Sequence, residues 1–170
     1  MNIGLLGFGV VGGGVWELAQ ENRALNVKKV LVRRETPSLG KAAVQDVEAI
    51  LRDTEIDTVV EVLGGLHPAY EWICRALAAG KDVVTANKAV ISAYYRELTA
   101  LAHENGVALR CTAAVGGGIP WLVNLQRCRR VDTVTEVGGI MNGTTNFIMD
   151  AMARQGADFP AVLQRAQELG

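Results

Sequence analysis

The chain has 170 residues, 49% of them hydrophobic, enough for one packed core and the beginning of a second. Its 17 basic and 18 acidic residues leave a formal charge of −1, which argues against a nucleic-acid footprint or a polybasic membrane patch. No apolar run approaches the ~20 residues that span a bilayer, and no signal-peptide pattern precedes the first strand. Cys74, Cys111 and Cys128 are odd in number and widely spaced, as expected of unpaired thiols in a cytoplasmic protein. With His67 and His103 the only histidines, a His-based metal cage is not expected.

The N-terminal run Ile3-Gly4-Leu5-Leu6 reads as a buried strand and flows into Gly-x-Gly-x-x-Gly at Gly7, Gly9 and Gly12. An amphipathic segment from Val15 to Gln20 follows, so the triplet sits between a strand and a helix. In that setting Gly7 permits the tight turn, Gly9 lets backbone approach a pyrophosphate and Gly12 lets helix and strand pack closely. A purely conformational glycine turn is the competing reading.

Val27 to Val32 reads as a second strand ending at Arg33-Arg34-Glu35, and Val44 to Arg52 as a short helix. Thr58 to Leu63 is a third strand closed by Gly64-Gly65, followed by a helix that starts near His67-Pro68 and stops at Gly80. Asp82 to Thr85 leads into Ala86-Asn87-Lys88. A helix with Tyr94, Leu98 and Leu101 on one face then runs to Gly106. Val107 to Cys111 is a further strand that ends in the glycine-rich stretch Val115 to Pro120. Continuous apolar strands alternating with helices of about a dozen residues predict an α/β, Rossmann-type doubly wound fold with a mainly parallel sheet. Such sheets bind ligands beyond the carboxyl ends of their strands. The loops to compare are therefore the glycine turn, Arg33-Arg34, Gly64-Gly65, Asn87-Lys88 and Val115 to Pro120.

Beyond Arg130 the pattern changes. Val131, Thr133, Thr135 and Val137 alternate within a segment reaching Met141, which predicts an antiparallel or half-exposed strand and the start of a second α+β domain. The expected division is residues 1–130 for dinucleotide binding and 131–170 for an incomplete substrate, catalytic and dimerisation domain. Asn142 to Asn146 opens a helix, and Asp158 caps a final one with Pro160 in its first turn and Gly170 at its end.

An acid about 20 residues beyond the glycine turn normally receives the adenosine ribose. Arg33 and Arg34 occupy that place, and a guanidinium suits a 2′-phosphate, so NADP(H) is favoured over NAD(H). Glu35 keeps NAD(H) open, since it stands at the ribose if the strand ends one residue later. Lys88 follows a short strand at its carboxyl end, where nicotinamide and substrate should meet and where lysine opposes the helix dipole. The bland reading is an exposed lysine in a first helical turn. His67 reads as a surface histidine, and Trp72, Tyr94 and Tyr95 as helix packing.

The segments Gly7 to Gly12, Glu61 to Gly65, Val83 to Lys88, Val115 to Pro120 and Gly139 to Asn146 together resemble homoserine dehydrogenase, in order and over the whole chain. That resemblance implies NAD(P)H-dependent interconversion of L-aspartate 4-semialdehyde and L-homoserine, in threonine and methionine synthesis. It implies that Phe8, Val10 and Val11 hold the cofactor with Gly7, Gly9 and Gly12, joined by Gly64 and Gly143. Lys88, the candidate catalytic residue of this chain, matches a lysine that contacts cofactor and lies by the substrate, and Asn142 and Thr144 match substrate positions. Family members can bind sodium through three carbonyls, here Val115, Gly117 and Ile119, and a glutamate. Thr112 takes the glutamate's place and removes the only charged ligand, so tight cation binding is not expected. The family's later acids and catalytic lysine lie beyond Gly170, so the 170-residue chain alone is expected to bind cofactor without appreciable turnover. Its expected partners are a small-molecule substrate and a second copy of itself, with no nucleic acid or membrane. Competing readings are a non-catalytic dinucleotide-binding or regulatory module, and another dehydrogenase of small amino-acid-derived carbonyls.

Overall fold

A computed structural model describes residues 1–34 and 36–169. Six strands form one all-parallel sheet in the order β3-β2-β1-β4-β5-β6. These are β1 (Asn2–Leu6), β2 (Asn26–Leu31), β3 (Ala43–Val44), β4 (Thr58–Glu61), β5 (Asp82–Thr85) and β6 (Leu109–Arg110). The helices between them are α1 (Val10–Glu21), α2 (Glu48–Leu51), α3 (Ala69–Ala78) and α4 (Lys88–Glu104). The order reverses beside β1, between β1 and β4, which is where a doubly wound sheet opens a crevice.

The apolar runs have a simple cause. Successive strand residues point to opposite faces, and both faces are covered. Leu6, Leu31 and Val59 join one core with Ile73, Leu77, Val90 and Leu98 from α3 and α4. Leu5, Val30 and Val60 join the other, where Val15 and Trp16 of α1 pack against them. Leu5 and Leu6 are both fully buried, a gain of about 1.5–3 kcal/mol for each such side chain.

Several expected elements are shorter or different. The helix expected from Val44 to Arg52 is split: Ala43 and Val44 pair with Val30 and Leu31, and only Glu48–Leu51 is α-helical. The Val32 N–H donates to the Val44 carbonyl at 2.9 Å, so the sheet edge claims a residue that helical propensity alone would not. Tyr94 lies in α4, stacked on Tyr70 at a centroid distance of 4.1 Å, but Tyr95 is exposed rather than packed. Glu35 and Gly170, assigned above to a ribose contact and a helix end, lie outside the described residues.

The chain divides into compact units at Met1–Asn124 and Leu125–Gly170, and α5 (Trp121–Cys128), an unanticipated helix, crosses the division. In the second unit, α6 (Gly143–Gln155) and α7 (Phe159–Glu168) bury Ile148, Ala151 and Val162 between them. The strand expected over Val131 to Met141 is absent: no regular element occupies those residues, and Val131 and Ile140 are 88% and 83% exposed. The physical reason is pairing. The described residues of this unit contain no other strand, and a lone extended segment has no ladder to hold it. The regular elements described in this unit are all helices.

Asp57 ties the starts of β1 and β4 together. Its carboxylate accepts the Asn2 N–H at 2.9 Å and the Thr58 hydroxyl at 2.7 Å. The Asn2 bond, assisted by Thr58 and the chain's amino terminus, holds Asp57 below its ordinary range against a smaller desolvation. A carboxyl whose folded pKa is depressed contributes stability above its unfolded value of about 3.9 and loses it as pH falls through the folded value. Asp57→Asn should therefore flatten the acid limb of stability against pH, read by denaturant unfolding, while an unchanged limb would show that Asp57 contributes nothing there.

Candidate functional site

The turn after β1 has separate reasons for its three glycines. Gly7 has φ +105°, in the left-handed region that disfavours a side chain. A Cβ on Gly12 would lie 2.3 Å from the Gly7 carbonyl oxygen and 3.3 Å from Val62 Cγ2, so only hydrogen fits where α1 crosses the turn. Nothing lies within 4 Å of a Cβ placed on Gly9, which leaves the backbone open to an incoming group. Gly9 caps α1 without any side-chain hydrogen bond, and no acid stands in the first turn. The leading N–H groups and the positive end of the helix dipole thus face outward, a ready anion site. Phe8 packs edge-on against Trp16, whereas Val10 and Val11 are exposed, Val10 by 89%.

A cleft of about 790 Å³ runs from this turn across the carboxyl ends of β2 and β4. Gly7, Phe8 and Gly9 line it with Arg33, Arg34 and Gly64, and both arginines are exposed. His67 and Trp72 also line it, so two residues read as surface and packing stand in its wall. A second cleft of about 340 Å³ shares Val62, Leu63 and Gly64 with the first and adds Val11, Gly65, Asn87 and Lys88. The two clefts thereby gather Gly7, Phe8, Gly9, Val11, Arg33, Arg34, Gly64 and Lys88 along one edge of the sheet, whereas Val10, Gly12, Val115, Gly117 and Ile119 line neither.

Behind the smaller cleft lies a network that sequence reasoning did not single out. Glu61, the last residue of β4, is fully buried. Its Oε1 accepts the Leu63 N–H at 2.8 Å and Asn87 Nδ2 at 3.3 Å, and its Oε2 accepts the Thr85 hydroxyl at 2.5 Å. Thr85 Oγ1 in turn accepts the Asn87 N–H at 3.0 Å. Asn87 donates from Nδ2 to the Gly65 carbonyl at 2.7 Å and caps α4 by accepting the Val90 N–H at 3.2 Å. Lys88 is exposed immediately beyond this cap. The available signal was a carboxylate closing an otherwise apolar strand, because a buried acid must have partners.

The glycine-rich stretch after β6 begins as a short 3₁₀ turn, Thr112–Ala114. The Ile119 carbonyl already accepts the Trp121 N–H at 2.7 Å, and Thr112 offers a neutral hydroxyl. Three carbonyls without a carboxylate suit a hard cation poorly, so no step is assigned to sodium. Among the described residues no three His, Cys, Asp or Glu side chains group to hold a metal ion. In the second unit Asn142 caps α6, accepting the Thr145 N–H at 2.8 Å, and Gly143 and Thr144 are exposed in the first turn.

A sheet in this order, with a glycine turn feeding a helix N-terminus at the strand-order reversal, defines a dinucleotide-binding Rossmann domain. The family model described as "Homoserine dehydrogenase, NAD binding domain" matches residues 7–112, and that described as "Homoserine dehydrogenase" matches residues 120–170. The chain belongs to the homoserine dehydrogenase family, and its cofactor is a nicotinamide dinucleotide. It is 42% identical to a homoserine dehydrogenase of Synechocystis sp. and 41% identical to one of Lactococcus lactis subsp. lactis. In each case all of this chain is covered, against 42% and 44% of the relative. The structure of a homoserine dehydrogenase from Thiobacillus denitrificans superposes with a TM-score of 0.89 at 38% identity, covering all of this chain and 42% of that one. A hyperthermophilic archaeal homoserine dehydrogenase in complex with NADPH superposes with a TM-score of 0.82 at 26% identity, covering 99% of this chain and 61% of that one. The chain thus spans less than half the length of the curated relatives named here. No described helix is long and apolar enough to cross a membrane.

The Gly12 contact yields a direct test. Gly12→Ala forces its methyl group against the Gly7 carbonyl, an overpacking cost of about 1–3 kcal/mol. Denaturant unfolding should show that loss together with weakened dinucleotide binding, and an unaltered variant would contradict the close approach.

Proposed function

We propose that this chain supplies the cofactor-binding part, and one wall of the substrate site, of a cytoplasmic enzyme interconverting L-aspartate 4-semialdehyde and L-homoserine. The observation that carries the reading is the run of exposed functional groups along one sheet edge, from Arg33 and Arg34 past the glycine turn to Lys88. When bound, the dinucleotide supplies or accepts hydride at nicotinamide C4.

The backbone from Gly7 to Gly12 would hold the pyrophosphate, together with Phe8, Val10 and Val11, and the α1 dipole would offset its charge. Gly64 borders both clefts and so spans the passage between adenosine and nicotinamide ends. Lys88 would orient the substrate and polarise its carbonyl oxygen, where negative charge develops on reduction. Gly143 also serves the cofactor, and Asn142 and Thr144 serve the substrate. The exposed apolar groups of the second unit, Val131, Ile140, Met149 and Phe159 among them, favour association into a homodimer.

Arg33 and Arg34 support NADP(H) as the preferred cofactor, through a guanidinium at the 2′-phosphate. The archaeal relative bound to NADPH is in keeping with this choice. Titration should show NADPH binding more tightly than NADH. Arg33→Ala or Arg34→Ala should weaken NADPH by about tenfold, the worth of one charge-assisted hydrogen bond, and leave NADH nearly unchanged. Tighter NADH binding, with NADPH indifferent to both substitutions, would reverse the assignment. In a protein carrying the rest of the catalytic region, semialdehyde-dependent NADPH oxidation should be lost on Lys88→Ala, and an undiminished rate would remove Lys88 from the mechanism.

A further inference from the structure

We infer that Glu61 is a positioning residue for the nicotinamide half of the site, acting through Thr85 and Asn87 on both walls of the smaller cleft. The inference rests on the dinucleotide placement proposed above and assigns a task to a residue that itself touches no ligand.

The wiring starts from sheet register. Glu61 and Thr85 end adjacent parallel strands and are register partners, which brings the carboxylate and hydroxyl together. One carboxylate oxygen receives the Leu63 N–H and so bends the chain as it leaves β4. The next two residues, Gly64 and Gly65, both have positive φ, at +76° and +71°, a conformation with little intrinsic bias to persist. Asn87 holds the far end of that loop through the Gly65 carbonyl, and Asn87 is itself held by Glu61 and Thr85. The Asn87 amide oxygen then caps α4, setting the backbone from which Lys88 projects. The glycine loop and the lysine helix face the same cleft, and both trace back to one carboxylate.

The chemistry requires an acceptor on both sides of the carboxyl group. Glutamine at this position has the same shape, but its nitrogen would face Thr85 Oγ1, which already accepts the Asn87 N–H. The hydroxyl proton of Thr85 would then lose its acceptor, and the charge-assisted bond between strand and helix cap would be replaced at best by a weaker amide–hydroxyl one. The glycine turn and the end of β2, on which the adenosine side rests, are bonded independently of Glu61, Thr85 and Asn87, and the linings of the two clefts meet only at Val62, Leu63 and Gly64.

That independence separates positioning from general support of the fold. ADP occupies only the adenosine and pyrophosphate part shared by NADH and NADPH. Glu61→Gln should weaken the reduced dinucleotide that the wild-type chain prefers by about tenfold, read by nicotinamide fluorescence, while ADP affinity in calorimetry stays within about twofold. Thr85→Val should reproduce the split should Glu61→Gln not fold, and Thr85→Ser, which keeps the hydroxyl, should restore the dinucleotide. Equal loss of ADP and dinucleotide in both disruptive variants, or no loss of either, overturns the inference while leaving the proposed function standing. A wild-type chain that binds neither overturns the placement and the inference together.

Discussion

Everything at this site depends on one close approach, that of α1 to the turn that precedes it. Without a side chain at Gly12, the helix can start directly over the Gly7 carbonyl, and its N-terminus comes to lie at the carboxyl edge of β1. A bulkier residue would push the helix outward and carry the unpaired N–H groups away from the crevice between β1 and β4. The anion site is thus a packing outcome before it is an electrostatic one. The dipole and the exposed Gly9 backbone matter only because the steric condition at Gly12 is met.

The parallel sheet turns this local arrangement into an extended surface. Because all six strands run the same way, their carboxyl ends share an edge, and residues distant in sequence become neighbours there. Arg33 lies beyond β2, Gly64 beyond β4 and Lys88 beyond β5, and two adjoining clefts join them.

Much of this was legible from sequence for a physical reason: the informative signals were local. Apolar runs four to six residues long, punctuated by glycine, mark strands buried on both faces, and Gly7, Gly9 and Gly12 declare a turn within six positions. Glu61 was not legible in the same way, because its Thr85 and Asn87 partners lie 24 and 26 residues away and only the register of β4 with β5 joins them. Val44 was misread since a two-residue edge strand leaves no periodicity of its own. Val131 to Met141 failed the opposite way: the alternation is present, but a strand exists only when another pairs with it.

The tandem glycines at 64 and 65 carry a thermodynamic consequence. A free Gly-Gly segment samples a wide range of conformations, and freezing it on ligand arrival would cost entropy that binding has to overcome. Here side chains from neighbouring strands impose that order during folding, with Leu63 anchored at one end and Gly65 at the other. Any ligand entering the smaller cleft would therefore meet a loop already in shape, and its association would keep free energy that a floppy loop would spend on ordering.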